Sequence, residues 1–98
     1  MLRRSEVHEN PARLVADLYI GPGWRLVAEH YHPGIRERFT VIRGRVGFSI
    51  GGRPSIAEAG VSIEVPPGLA HDWWNAGDEE AHLLVEIAPA GGVNSPRA

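Results

Sequence analysis

Short runs of alternating apolar and polar residues, separated by glycine and proline turns, constrain this chain more than any other feature. Side chains at positions i and i+2 of a β-strand point to the same face, so each run predicts a strand with one buried face. Turns recur roughly every 8–12 residues, which is typical of an all-β sandwich or barrel. The predicted strands cover residues 12–20, 24–32, 37–43, 46–50, 55–59, 61–65, 71–74 and 83–87.

The size of the chain predicts one domain. Ninety-eight residues are too few to bury two independent cores. Twelve glycines and eight prolines disfavour long helices, and no window shows helical periodicity. We therefore expect a single all-β domain over residues 1–90, followed by a patternless tail at residues 91–98.

Charge and composition exclude several classes of function. The ten basic residues are all arginine, and twelve acidic residues give a net charge of −2, which does not suit a nucleic-acid binder. Without cysteine or lysine there is no disulfide, thiolate nucleophile or Schiff base. No apolar stretch is long enough to span a membrane, and no signal peptide is recognisable. The expectation is a cytoplasmic protein with neither nucleic acid nor membrane as a partner.

Histidines on inward faces point to a metal. His30 and His32 share the buried face of one predicted strand, and the same alternation turns Glu37 and His71 inward. Taken alone, a His-x-His pair on a strand is more often exposed or hydrogen-bonded than metal-bound. Three imidazoles and a carboxylate in one apolar interior would, however, be costly unless they shared a cation. Such a set suits divalent Fe, Mn, Ni, Co, Cu or Zn.

Two sequence motifs extend this pattern. The first is His-x-His, four residues, Glu, six residues and Gly; the second is Gly, five residues, Pro-x-Gly, two residues, His, three residues and Asn. Their positions are His30, His32, Glu37 and Gly44, then Gly60, Pro66, Gly68, His71 and Asn75. This combination resembles the cupin superfamily, and in particular its small bacterial single-domain members. One departure is the glycine that opens the first motif, because Trp24 stands at its place and Gly23 lies one residue early.

The resemblance implies a fold and a site. The fold would be the cupin double-stranded β-helix, a jelly-roll barrel. One divalent transition metal would be held by His30, His32, Glu37 and His71. Asn75 would hold the turn after the second motif, and the motif's other glycines and proline would shape turns.

Two functions follow from such a site. Four protein ligands on a six-coordinate metal would leave two positions for a small oxygen-rich chelating molecule. The first hypothesis is therefore a mononuclear metal-dependent enzyme, either dioxygenase-like or a Lewis-acid isomerase or cyclase, with Glu37 as ligand and catalytic base. Phe39, Val41 and Trp73 share faces with the ligands and are expected in the core and along the pocket. The alternative is a non-catalytic metal-dependent module that binds or senses a small molecule.

A homodimer is also expected. The apolar run over residues 12–20 would form an exposed edge strand that a second copy could cover. Trp74 points away from Trp73, so it either packs on its own sheet or lies in an interface, and it is the candidate interface aromatic of the dimer.

Overall fold

A computed structural model describes residues 2–10, 13–25 and 34–89 of the chain. Within these ranges the chain forms eight β-strands and no helix, so the all-β prediction is confirmed. The strands are β1 (Leu2–Asn10), β2 (Arg13–Ile20), β3 (Ile35–Arg43), β4 (Arg45–Ile50), β5 (Arg53–Glu58), β6 (Ser62–Val65), β7 (His71–Asn75) and β8 (Ala81–Pro89).

The strands form two antiparallel sheets. One has five strands in the order β1-β2-β8-β3-β6, and the other has three in the order β5-β4-β7. Alternate residues of both sheets meet in one apolar core, as expected when each strand buries one face. The largest fully buried side chains of this core are Phe39, Phe48, Ile20, Leu83, Val41, Val46 and Val65. This arrangement is the predicted jelly roll.

Strand β1 was not predicted from the sequence. Its nine residues include only two large apolar side chains, Leu2 and Val7, at an odd spacing, so no period of two is visible. The backbone nevertheless pairs with β2 from Leu2 opposite Ile20 to Asn10 opposite Arg13, with a register shift between Arg4 and Val7. This pairing uses backbone N–H and C=O groups. Every residue except proline carries both groups, so the pairing leaves no pattern of residue types in the sequence.

The position of β1 corrects the prediction of an apolar edge strand over residues 12–20. Strand β2 lies between β1 and β8 and pairs with both of them. The edge of the five-stranded sheet is therefore β1 and not β2.

Part of the sequence prediction falls outside the described residues. Of the strand expected at residues 24–32, only Trp24 and Arg25 are described. Arg25 bridges to Trp74 of β7, and the backbone N–H of Asn75 donates to the Trp24 carbonyl at 3.0 Å. The expected tail at residues 91–98 also lies outside the described ranges.

Trp74 packs on the outer face of its own sheet. A Cβ added to Gly47 of β4 would lie 2.1 Å from Trp74 Cε2, so the indole occupies the space above this glycine. The guanidinium of Arg25 lies 5.1 Å from the centre of the Trp74 ring, a cation–π distance. Of the two roles expected for Trp74, the structure therefore provides the packing role.

The described residues contain no helix that is both long and apolar enough to cross a membrane.

Candidate metal centre

Glu37 and His71 meet inside the protein. Glu37 lies on β3 between Val65 of β6 and Ile87 of β8, and His71 begins β7 opposite Ile50 of β4. The Nε2 atom of His71 is 3.3 Å from the Oε2 atom of Glu37. The two residues are only 2% and 5% exposed, so both polar groups have left water. An imidazole and a carboxylate that are buried together form half of the donor set expected for the metal.

A backbone carbonyl orients the imidazole. The Nδ1 atom of His71 lies 3.1 Å from the carbonyl oxygen of Leu69, two residues earlier. A carbonyl oxygen can only accept, so Nδ1 carries the proton and donates it. The Nε2 atom, which faces Glu37, then either carries a second proton or presents a lone pair. Metal-binding histidines are held in the same manner, with one ring nitrogen donating to a backbone or carboxylate oxygen and the other free to bind.

The electrostatics of the pair favour a cation at Nε2. The Glu37 carboxylate beside Nε2 raises the pKa of His71 above its ordinary value of 6.5, while burial acts in the opposite direction. The hydrogen bond to Leu69 and the negative charges of Glu37 and Asp72 also raise this pKa. The same geometry suits a divalent metal, which binds a neutral imidazole and a carboxylate.

The predicted pocket residues occupy different depths. The ring of Phe39 lies 6.0 Å from the ring of His71, and Phe39 follows Glu37 on the same face of β3, so this side chain forms the floor beneath the pair. Trp73 is buried and packs against Trp24 with ring centres 5.5 Å apart. Val41 is 1% exposed and pairs with Leu83 one step further from Glu37, which makes it a core residue.

The other two predicted ligands, His30 and His32, lie outside the described residues. Among residues 2–10, 13–25 and 34–89, no group of three or more His, Cys, Asp or Glu side chains could hold a metal. Of the four expected ligands, the described part of the chain contains Glu37 and His71, which lie together.

The structural residues of the motifs hold turns around the barrel. The side-chain NH₂ of Asn75 donates to the carbonyls of Ile20 and Glu79 at 2.9 and 2.7 Å, and its Oδ1 accepts from the N–H of Gly77 at 2.8 Å. Gly44 has a φ of +88°, and a Cβ there would lie 3.0 Å from the backbone of Ala81. Gly60 and Gly68 also have positive φ, whereas Pro66 accepts the N–H of Leu69 at 3.4 Å.

Another histidine, His82, lies on the other face of the five-stranded sheet. His82 of β8 places its Nε2 atom 2.7 Å from Oδ1 of Asp17, and Tyr19 stacks on its ring at 4.4 Å. His82 alternates with the buried residues Ala81 and Leu83, so it points away from the core and from Glu37. It takes no part in the candidate metal centre.

The comparison with protein families agrees with the motifs. The family described as "Cupin domain" matches residues 17–87, which include β3 to β7 completely, most of β8 and the second half of β2. The chain belongs to the cupin family. This small cupin is similar in structure to a conserved protein with a double-stranded β-helix domain from Klebsiella pneumoniae. The two are 30% identical with a TM-score of 0.80, over 91% of this chain and 77% of that one.

Two curated relatives of this cupin come from Streptomyces. "Polyketide synthase CurC" of Streptomyces cyaneus is 34% identical over 68 residues, which are 69% of this chain and 44% of that protein. "Protein SchB" of Streptomyces halstedii is 31% identical over 70 residues, which are 71% of this chain and 50% of that protein. The chain thus spans about half the length of the curated relatives that it matches.

Sequence reasoning missed Leu69 as a residue of the site. Its contribution is a backbone carbonyl, a group that every residue carries, so the residue type gives no signal. Its position two residues before His71 could have drawn attention, but only the path of the loop shows that the carbonyl turns back to the ring.

Proposed function

We propose that this cupin is a metal-dependent enzyme that acts on a small oxygen-rich chelating molecule. His30, His32, Glu37 and His71 would hold one divalent transition metal; for His30 and His32 this role rests on the sequence motif. The observation that carries the proposal is the buried Glu37–His71 pair, 3.3 Å apart, with the imidazole oriented by the Leu69 carbonyl. Burying a carboxylate beside an imidazole costs desolvation free energy unless a cation is shared between them. Such buried ionisable pairs are found at functional sites.

A bound metal would supply Lewis-acid polarisation of a substrate oxygen or, if it is redox-active, chemistry with dioxygen. The residues of the chain would do the rest. Phe39 lies near the His71 ring, and the apolar residues Val65 and Ile50 are the register partners of Glu37 and His71. Such neighbours would limit water at the pair and strengthen electrostatic interactions there. The Glu37 carboxylate would accept a proton from the substrate as a general base within reach of the site.

The class of substrate is proposed from a relative. One curated relative is named a polyketide synthase. Polyketide chains carry oxygen atoms on alternate carbons, so two neighbouring carbonyls can chelate a metal. The carbon between two carbonyls is also acidic, and Glu37 would accept its proton. We therefore propose 1,3-dicarbonyl compounds as the substrate class, with cyclisation, isomerisation or oxygenation as the reaction.

Metal analysis is the first test. The untagged protein is expected to hold about one divalent metal per chain. His71→Ala should lose most of this metal while keeping its β-sheet circular dichroism, and His82→Ala, which alters a histidine outside the site, should keep the metal. Equal metal content in the His71→Ala and parent proteins would contradict the proposed ligand set.

Turnover is the second test. The metal-loaded protein would be incubated with 1,3-diketones and chelating diols, under air and under nitrogen. Oxygen uptake would identify an oxygenase, and product formation under nitrogen would identify an isomerase or cyclase. Binding of these compounds without any conversion would support the non-catalytic binding module instead.

A further inference from the structure

The loop that carries the Leu69 carbonyl rests on a neighbouring turn. This loop spans residues 66–70, between β6 and β7, and the turn is Gly51-Gly52, between β4 and β5. The side chain of Leu69 lies over Gly51: a Cβ built on that glycine would be 3.1 Å from Leu69 Cδ1 and 3.4 Å from Cγ. The absence of a side chain at Gly51 therefore provides the space in which Leu69 packs.

Backbone hydrogen bonds hold the same loop on both sides of the Leu69 carbonyl. The N–H of Gly51 donates to the carbonyl of Ala70 at 2.8 Å, and the N–H of Leu69 donates to the carbonyl of Pro66 at 3.4 Å. Ile50, the residue before the turn, is the register partner of His71. Three consecutive residues therefore connect the turn to the imidazole: Leu69 and Ala70 contact Gly51, and His71 follows them.

Leu69 is an exposed apolar residue whose side chain packs on Gly51 and whose carbonyl contacts His71. Leu69 is 36% exposed, and it is one of four large apolar residues in the described chain with that exposure or more. Its side chain makes no contribution to the core, yet its carbonyl is the partner of His71 Nδ1. The apolar contact with Gly51 reduces the freedom of the residue whose carbonyl must stay in place.

We infer that Leu69, seated on Gly51, is a positioning residue for His71. It fixes the imidazole with Nδ1 protonated and Nε2 directed to Glu37, and so prepares the nitrogen that would bind the metal. The His71–Leu69 hydrogen bond is 3.1 Å long, toward the weak end of the ordinary range, so a small movement of the loop removes it. The effect on metal affinity rests on the proposed function, whereas the effect on the imidazole does not.

The first experiment observes the imidazole in the metal-free protein. Nitrogen-15 NMR of labelled histidine, at a pH where His71 is neutral, reports which ring nitrogen carries the proton. The His71 signals are assigned by their absence from His71→Gln. The parent should show a larger share of the Nδ1–H tautomer than Leu69→Ala does, because the Leu69 carbonyl holds the proton at Nδ1. Leu69→Ala should shift the mixture toward the Nε2–H tautomer, and Val61→Ala, which truncates another exposed apolar residue in a different turn, should remain like the parent.

The second experiment uses a matched pair of glycine variants. Gly51 and Gly52 both have positive φ, of +58° and +81°, so alanine strains the backbone at either position. Only at Gly51 would the new methyl group meet Leu69; at Gly52 it would meet nothing within 4 Å. Gly51→Ala is therefore expected to reproduce the tautomer mixture of Leu69→Ala, and Gly52→Ala is not.

Zinc affinity, measured by competition with a chromophoric chelator, completes the test. Leu69→Ala and Gly51→Ala should bind Zn²⁺ roughly ten-fold more weakly than the parent, which is the usual effect of losing a hydrogen bond that orients a metal ligand. Circular dichroism should be unchanged in all variants. An Nδ1–H tautomer retained in both variants would overturn the inference. Altered tautomers in the two variants, together with a parent protein that binds no zinc, would support the positioning role and overturn the proposed metal function.

Discussion

The carboxylate of Glu37 and the imidazole of His71 meet at 3.3 Å although their strands belong to different sheets. Strand β3 contributes the carboxylate from the five-stranded sheet, and β7 contributes the imidazole from the three-stranded sheet. The pair therefore depends on the packing of one sheet against the other and not on a local turn. A site that spans two rigid sheets holds its groups more precisely than one built on a single loop.

The metal-free protein should lose stability as the pH rises. Because folding raises the pKa of His71, the folded state binds this proton more tightly than the unfolded state. The contribution is fully present below the ordinary pKa of 6.5 and disappears as the pH rises through the raised value. Urea unfolding with a chelator present, from about pH 5.5 to about pH 9, would measure it. The difference between parent and His71→Gln should shrink across this range, and a constant difference would contradict the prediction.

Glu37→Gln should separate binding from catalysis. The amide keeps the size of the side chain and one oxygen ligand but cannot accept a proton at neutral pH. Substantial metal binding should remain, and turnover of a chelating substrate should fall about 10²–10⁴-fold, the usual contribution of a positioned base. Steady-state kinetics at matched metal content would measure this. Equal turnover in the variant and the parent would exclude Glu37 as the base.

Gly47→Ala should destabilise the fold. The new Cβ would lie 2.1 Å from Trp74 Cε2, so the indole must leave its position over β4. We expect a loss of about 1–3 kcal/mol in the free energy of unfolding, as is usual when a packed site is overfilled. Gly34→Ala is the matched control, because a Cβ there meets nothing within 4 Å and φ is not positive. Chemical denaturation of both variants would decide whether the Trp74 contact is the cause.

Asn75 should be required for the stability of the fold, because its side chain ties the turn after β7 to the end of β2. Its side chain donates two hydrogen bonds and accepts one, and the carbonyl of Ile20 that it binds is buried. Asn75→Ala should cost about 2–4 kcal/mol, because the buried carbonyl is left without this donor. Asn75→Asp keeps the shape but places a carboxylate oxygen against two carbonyl oxygens, so it should be at least as destabilising. Thermal unfolding of an Asp variant as stable as the parent would disprove the role of the NH₂ group.

The homodimer stays a prediction, with a different strand at its edge. Strand β1 pairs with β2 on one side, and in the described part of the chain no strand pairs with its other side. Such an edge offers backbone groups to a second copy. Light scattering at micromolar concentration should return about 21 kDa, twice the 10.7 kDa of one chain. A value near 11 kDa would show a monomer.

Several features of the fold followed from local pattern alone. The period of two in residues 37–41 places Glu37, Phe39 and Val41 on one face, and all three are buried in the structure. The same argument turned His71 and Trp73 inward. These predictions succeed because the face of a strand on which a side chain lies depends only on backbone geometry, which neighbours in the sequence reveal.

Other features depend on which strands become neighbours. The sequence carries no sign that β1 covers β2, since the pairing uses backbone groups that all residues share. It equally gives no sign that Leu69 packs on Gly51 or that Trp74 fills the space above Gly47, because these pairs are far apart along the chain.

The sequence by itself thus determined every described strand except β1, the buried faces of these strands and the motif that assigns Glu37 and His71 to one site. The tertiary structure decided the 3.3 Å approach of these two residues and the carbonyl that orients the imidazole. The physical reason is that the first features are local along the chain and the second are not. Alternation of side chains is fixed residue by residue, whereas a contact between two sheets forms only when the whole core has packed and each loop has found its place above it.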